Sequence, residues 1–184
     1  MAKHPAVFLD RDGTIIEDNG YIKDPMDMIF YPETFRALQL LQDHFLLFII
    51  TNQSGISKGI TTAPQVEKVN KHLVELLKVR GIAIYDLFSC PHKTEDNCSC
   101  KKPNPYFINK AAGLNNLNLA QSFIIGDHPS DVYCGINAGV KPIYVLTGHG
   151  KKHQHEITEE VITCKNVLDA SNYIVSYKNN HERL

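Results

Sequence analysis

The sequence lacks long apolar runs and has no excess of charge of either sign. Its first apolar run, residues 6–9, is far too short for a signal peptide or a membrane-spanning helix. Its 20 acidic residues and 19 lysines and arginines leave a formal net charge of -1. No overall field therefore draws the chain to nucleic acid or to an anionic membrane. We expect a cytoplasmic protein with neither as a partner.

The chain also lacks internal repeats, low-complexity tracts and linkers between domains. Its 184 residues suit one domain spanning residues 1–184, and we expect a monomer. A domain of this size buries about 70% of the surface that its unfolded chain exposes. Hydrophobic residues at 43% and charged residues at 21% are ordinary for a globular protein. Cysteines are few, and in a cytoplasmic protein they are typically thiols or metal ligands.

The motif around which the chain is organised lies at residues 7–14, Val-Phe-Leu-Asp-Arg-Asp-Gly-Thr. An apolar run halted by charge and glycine predicts a buried strand that carries Asp10 and Asp12 at its carboxyl end. Ligands bind at that edge in open α/β sheets, and paired carboxylates there suit a hard cation or attack on phosphorus. Asp-x-Asp alone is more typical of a solvated acidic turn, but Gly13, Thr14 and the preceding strand favour the functional interpretation. An EF-hand is excluded because its loop needs a third ligand before the glycine.

Strand-like runs alternate with helical periodicities along the chain, which predicts a parallel sheet with right-handed crossovers. We expect strands at 6–9, 45–50, 82–88, 122–125 and 142–146, and helices at 33–44, 62–81, 105–112, 130–138 and in the tail. Thr62 and Gln65 form a capping-box pattern at the start of the second helix. Residues 15–30 are predicted to be a functional loop or flap, and residues 149–155 a solvated loop.

Polar residues also follow the later predicted strands. They are Thr51 and Asn52, then Lys101 and Lys102 before a predicted helix, then Asp127 and Asp131. A carboxylate that attacks a phosphate dianion is repelled, by about 4 kcal/mol for one charge pair at 4 Å and an effective dielectric constant of 20. Such a site therefore needs a divalent cation and further positive or N–H donors, which these residues can help to supply. Each of these residue patterns alone is common in turns. Their order along the chain is what indicates a phosphate site.

That order resembles the haloacid-dehalogenase-type phosphohydrolases, over about residues 7–147. The resemblance implies a Rossmann-like three-layer α/β sandwich with a mainly parallel sheet and no separate cap domain. It also implies that Asp10 is the nucleophile and that Asp12 is the acid and base. Magnesium would be held by the carboxylates of Asp10 and Asp127 and by the backbone carbonyl of Asp12. Thr51, Asn52 and Lys102 would hold phosphoryl oxygens, and Asp131 would orient its neighbours.

A cysteine-rich loop gives a second metal-site signal. Cys90, His92, Cys98 and Cys100 supply the Cys₃His set of a closed structural zinc site. A redox pair or chance clustering is the alternative, but Cys-x-Cys is too tight for easy disulfide geometry. The loop runs directly into residues 101–102, so zinc would position the phosphate-binding lysine. Cys134 and Cys164 are left over, and we interpret them as small buried residues.

The zinc loop narrows the resemblance to the group that contains the heptose-1,7-bisphosphate and histidinol-phosphate phosphatases. Residues 20–22 and 51–56 are closer to the former, and the short spacing from His92 to Cys98 is closer to the latter. The chain departs from the group at two anion-binding positions, with Lys101 where arginine is usual and His128 where the heptose enzymes have lysine.

These patterns predict a magnesium-dependent phosphate monoester hydrolase that forms an aspartyl-phosphate. The expected substrate is D-glycero-D-manno-heptose 1,7-bisphosphate, with histidinol phosphate or another small sugar phosphate as the alternative. A phosphotransferase would share the intermediate. A zinc-stapled binding module, which is a different class of protein, is disfavoured by the near-neutral charge and by the intact acidic set.

Overall fold

Six parallel strands form one central sheet in the computed structural model, which describes residues 3–181. The strands are β1 (Ala6–Leu9), β2 (Leu46–Asn52), β3 (Ile84–Cys90), β4 (Phe123–Gly126), β5 (Lys141–Val145) and β6 (Ile162–Cys164). Their order in the sheet is β3-β2-β1-β4-β5-β6. Val7 of β1 pairs with Leu47 on one side and with Phe123 on the other. The strand order reverses at β1, so the carboxyl end of β1 lies at the topological switch point where such sheets bind ligands.

Helices cover both faces of the sheet. They are α1 (Thr34–Gln42), α2 (Ala63–Val79), α3 (Tyr106–Asn115), α4 (Pro129–Ala138), α5 (Gly150–His153) and α6 (Val167–His181). One apolar cluster joins α1, α2 and α6 to the side of the sheet that carries Val7 and Leu9. A second cluster joins α3 and α4 to the opposite side, which carries Ala6 and Phe8. The result is the expected three-layer α/β sandwich, and no cap domain interrupts it within the described residues.

The alternation of side chains explains why β1 is central. Its four residues are fully buried, because successive residues point to opposite faces and each face is covered by helices. Phe8 stacks on Phe48 of β2 with ring centroids 5.4 Å apart. A strand buried in this way is a rigid support for the polar residues that follow it.

Most predicted elements are present, with shifts of a few residues at their ends. The capping box of α2 is confirmed, since Thr62 accepts a hydrogen bond from the Gln65 amide and Gln65 accepts one from the Thr62 amide. β2 runs to Asn52, so Thr51 and Asn52 end a strand and do not follow it as a loop.

Two predictions about the later part of the chain were wrong. The predicted last strand is followed by β6, whose three residues are too short and too exposed to give a periodic signal. Residues 149–155, predicted to be a loop, contain α5 and the start of a 3-10 turn at Gln154–Glu156. Among the described residues, no helix is both long enough and apolar enough to cross a membrane.

Candidate active site

A cleft of about 480 Å³ opens at the carboxyl ends of β1, β2 and β4. The residues predicted for magnesium and phosphate all line it: Asp10, Asp12, Thr51, Asn52, Lys101, Lys102, Asp127, His128 and Asp131. Asp18 and His149 also line it, from the flap after β1 and the segment after β5, and sequence reasoning missed both. A larger groove of about 790 Å³ lies between α2 and β3, and its lining includes none of the predicted residues. The smaller cleft is therefore the candidate active site.

Three buried carboxylates meet at the base of this cleft. Asp10, Asp127 and Asp131 each offer an oxygen, and these oxygens lie within 4.8 Å of one another. Burial, with Asp131 and Asp12 nearby, raises the pKa of Asp10 from 3.8 to about 7, although Lys102 opposes the shift. Burial, with Asp10 and Asp131 nearby, raises the pKa of Asp127 to about 9. Three carboxylates this close together cannot all ionise easily, because their negative charges repel one another. Their oxygens suit a divalent cation, which would neutralise that charge.

Lys102 supplies the positive charge at the centre of the cluster. Its Nζ lies 2.5 Å from Asp10 Oδ1 and 2.5 Å from Asp131 Oδ1, and it donates to the Ile50 carbonyl at 2.9 Å. Burial by itself lowers the pKa of this lysine, but the two carboxylates outweigh burial and raise it. The ammonium is therefore charged throughout the physiological range.

Asn52 binds the backbone of Lys102 through its side chain. Its Oδ1 accepts a hydrogen bond from the Lys102 amide at 3.0 Å, and its Nδ2 donates to the Lys102 carbonyl at 3.3 Å. Both ends of the side-chain amide are therefore used to hold the lysine's backbone. These contacts make Asn52 a support for Lys102; its contact with phosphate stays a prediction, since Asn52 also lines the cleft.

Asp12 lies apart from the three-carboxylate group. Both of its oxygens accept hydrogen bonds from the Arg11 guanidinium, at 2.9 and 3.0 Å. Gln53 Nε2 donates to Asp12 at 2.8 Å, and the Thr51 hydroxyl donates to it at 3.2 Å. Thr51 therefore lines the cleft and also holds Asp12. Its hydroxyl also accepts a hydrogen bond from Gln53.

Asp127 is fixed by the segments on either side of it. One of its oxygens accepts from the Thr14 hydroxyl at 3.4 Å, and the other accepts from the His149 amide at 2.7 Å. Gly13 has a φ of +80°, and a side chain at that position would overlap the Asp127 carboxylate. The Gly-Thr of the first motif is thus needed for close packing against the carboxylate that follows β4.

His128 caps helix α4 at the wall of the cleft. Its Nδ1 accepts a hydrogen bond from the Ser130 amide at 3.1 Å, and its own amide donates to Asp131 at 3.2 Å. Because Nδ1 is an acceptor, the neutral imidazole carries its proton on Nε2. Burial lowers the pKa of His128 below 6.5. At neutral pH the side chain is therefore an uncharged group.

The cysteine loop brings its four predicted ligands together. Cys90, at the end of β3, lies with His92, Cys98 and Cys100 in one group. Five of the six separations among their sulfur and Nδ1 atoms are 3.2 to 3.7 Å. Ligands of tetrahedral zinc, with Zn–S near 2.3 Å, stand about 3.5–3.8 Å apart. None of the three cysteines forms a disulfide, so the donor set and its spacing fit zinc.

Comparison with known proteins gives concordant results. The HAD-hydrolase-like family model matches residues 99–170. A D-glycero-beta-D-manno-heptose-1,7-bisphosphate 7-phosphatase of Helicobacter pylori strain J99 is 39% identical over 176 residues, which cover 95% of this chain and 99% of the relative. A Vibrio cholerae protein of the same name is 33% identical, covering 97% of this chain and all of the relative. The chain belongs to the haloacid-dehalogenase-like family.

A solved structure of this family shows the same architecture. The D,D-heptose 1,7-bisphosphate phosphatase of B. bronchiseptica, complexed with magnesium and phosphate, matches with a TM-score of 0.86 at 26% identity. The match covers 94% of this chain and 99% of the other. The resemblance stated from the sequence motifs is thereby confirmed at the level of family and fold.

Within this haloacid-dehalogenase-like site, the sequence did not identify two residues, Arg11 and Gln53, that hydrogen-bond to Asp12. Arg11 stood inside the first motif and Gln53 inside the second, but neither has a spacing that reveals its partner. A charged residue between two strand-end carboxylates was the available signal for Arg11. The structure shows it to be 1% exposed, which a solvated arginine would not be.

Proposed function

We propose that this protein is a magnesium-dependent phosphatase that hydrolyses a phosphorylated sugar. Its preferred substrate is D-glycero-D-manno-heptose 1,7-bisphosphate. The observation that carries the proposal is the pairing of Asp10 with Lys102 at the base of the cleft. A carboxylate at a strand end, buried beside a cation and two further carboxylates, suits attack on phosphorus. The names of the relatives and of the magnesium-bound neighbour support the substrate and the metal.

The carboxylates of Asp10 and Asp127 and the backbone carbonyl of Asp12 would hold magnesium. When bound, the cation offsets the negative charge of the phosphoryl oxygens and of the carboxylates around them. Lys102 adds a fixed positive charge on the same side, and Asp131 holds that lysine in place. Lys101 is partly exposed and lines the cleft, where it can contact an anionic substrate.

Two carboxylates divide the chemistry. Asp10 attacks phosphorus, the bond from phosphorus to the leaving oxygen breaks, and the Asp12 carboxyl gives that oxygen its proton. Asp12, now a carboxylate, takes a proton from water as the water attacks the aspartyl-phosphate. Inorganic phosphate leaves and Asp10 is regenerated, so the proton on Asp12 is restored at the end of the cycle.

The zinc loop is proposed to position Lys101 and Lys102. Cys100 directly precedes these lysines, and its sulfur lies 3.2 Å from that of Cys90 at the end of β3. Zinc bound by Cys90, His92, Cys98 and Cys100 would fix the start of the lysine segment against the sheet. The proposed roles together fit one catalytic domain over residues 1–184.

Phosphate release from a panel of substrates tests the function. The panel contains heptose 1,7-bisphosphate, heptose 7-phosphate and histidinol phosphate, each with magnesium and with chelator. We expect magnesium-dependent release that is fastest from the bisphosphate, with Asp10→Asn inactive on every substrate. A preference for histidinol phosphate would contradict the proposed substrate. Near-normal hydrolysis by Asp10→Asn would contradict the proposed mechanism.

A further inference from the structure

Arg11 is buried at the turn that follows β1, and its hydrogen bonds lead to one carboxylate and one helix. Its Nε and Nη2 donate to the two oxygens of Asp12, at 3.0 and 2.9 Å. Its Nη1 donates to Asn70 Oδ1 on α2, at 2.6 Å. The guanidinium is 1% exposed, so water does not screen these contacts. Every nitrogen of this side chain therefore has a partner that fixes its plane.

Such a fork determines the orientation of the carboxylate that it binds. A bidentate arginine–carboxylate pair holds both groups in one plane, whereas a single hydrogen bond leaves the carboxylate free to rotate. Gln53 and Thr51 both donate to Asp12 Oδ2. Of Arg11, Gln53 and Thr51, only Arg11 donates to Oδ1. Asn70 in turn anchors the guanidinium to α2, outside the cleft.

We propose that Arg11 is a positioning residue for proton transfer, and that Asn70 holds it in place. Arg11 lines no part of the cleft and acts only through Asp12. The proposal rests on the proposed function, because it concerns the step in which Asp12 protonates the leaving oxygen and later activates water. A carboxylate that rotates freely points at those atoms for only part of the time, so both proton transfers become slower.

An aryl phosphate separates this role from a structural one. p-Nitrophenolate is a good leaving group, so formation of the aspartyl-phosphate from p-nitrophenyl phosphate does not need the proton of Asp12. Hydrolysis of the intermediate still needs Asp12 as a base. An enzyme with a misplaced Asp12 should therefore release one equivalent of p-nitrophenolate quickly and then turn over slowly.

The experiment compares Arg11→Met, Arg11→Lys and Asn70→Ala with wild type, in stopped-flow with p-nitrophenyl phosphate and in steady state with heptose 1,7-bisphosphate. For Arg11→Met we expect a burst at close to the wild-type rate, and turnover of the sugar phosphate lower by about 10²-fold with little change in KM. Arg11→Lys and Asn70→Ala should show the same pattern more weakly. Asp12→Asn is the reference for complete loss of proton transfer.

Two outcomes would overturn the proposal. Turnover at the wild-type rate in Arg11→Met and Asn70→Ala would show that Asp12 needs no orienting partner. A burst that slows in proportion to turnover would show that Arg11 only supports the fold. If Arg11→Met does not fold, the same comparison with the milder Asn70→Ala and Arg11→Lys decides. A wild-type protein that hydrolyses no phosphate ester would instead refute the proposed function.

Discussion

The ammonium of Lys102 lies 2.5 Å from an oxygen of Asp10, and both side chains are buried. A carboxylate at the end of a central strand would be costly to ionise in such a place without a cation. In the proposed site Asp10 must be shielded from water and must also carry a negative charge. The ammonium of Lys102 makes both possible, because it stabilises the ionised carboxylate. The pair also spans 92 residues of sequence, so it depends on the whole fold.

Lys102→Met should damage both stability and activity. The substitution keeps the length of the side chain but leaves Asp10 and Asp131 without their shared cation. We expect about 3–5 kcal/mol less free energy of unfolding, as for a broken buried ion pair, and turnover lower by about 10²–10³-fold. Urea unfolding and phosphate release measure the two effects. Lys101→Met is the matched control and should raise KM while unfolding near the wild-type midpoint.

The metal-free protein should lose stability as pH rises from about 4 to 9. Asp10 and Asp127 have pKa values raised to about 7 and about 9, so the folded state keeps protons that the unfolded chain has released. Their favourable contribution is complete below the unfolded value of 3.8 and is lost as pH passes each raised pKa. Urea midpoints in chelator at pH 5, 7 and 9 should fall in order.

Magnesium should reverse this trend, because it binds the ionised carboxylates and displaces their protons. Its apparent affinity should rise with pH over the same range, by about tenfold per pH unit for each proton released. Asp127→Asn removes one of the two titrating groups and should flatten both dependences. A stability in chelator that rose from pH 5 to 9 relative to Asp127→Asn would contradict the assignment.

The sequence predicted the framework of the site because that framework is local. β1 is an apolar run that ends in charge, and α2 begins with a capping box, so each can be identified without its neighbours. The edge of the sheet where Asp10, Thr51 and Asp127 meet follows from the parallel arrangement. The four residues of the cysteine loop were identified from their residue types and their close spacing in the sequence.

What the sequence could not predict depends on the direction of side chains and on weak elements. Nothing in the spacing shows that Asn52 holds the backbone of Lys102, or that Arg11 turns onto Asp12 rather than into solvent. β6 has three residues and α5 has four, too few for a periodic pattern to stand out. Both are positioned by tertiary packing, which has no local signature in the sequence.

We expect one tightly bound zinc per chain, separate from exchangeable magnesium. Cys98→Ser should abolish stoichiometric zinc in protein purified without added metal, because one of the four ligands is lost. The variant should also unfold at lower urea and bind phosphate more weakly, since Lys102 follows the loop. Elemental analysis and phosphate titration measure these effects. Cys164→Ser, outside the loop, is the control, and equal zinc in both variants would refute the site.

The last prediction concerns His128. The heptose-1,7-bisphosphate phosphatases that this sequence resembles usually have lysine at this position. A histidine with the ordinary pKa of about 6.5 would lose its charge between roughly pH 6 and 8, and with it an ionic contact with phosphate. The structure moves that window to lower pH, because burial lowers the pKa of His128 and its Nδ1 is occupied by the Ser130 amide. At pH 7 and above the side chain can offer only a neutral Nε2–H.

His128→Lys should therefore lower KM for heptose 1,7-bisphosphate most strongly at pH 7.5, where it places a charge that the wild type lacks. At lower pH more of the wild-type imidazole is protonated, and the two proteins should be closer. The ratio of the two KM values cancels the titration of the substrate, which has its own pKa near 6. His128→Gln keeps a neutral donor and should follow the wild type at pH 7.5. A ratio that does not change with pH would show that His128 makes no contact with the phosphate.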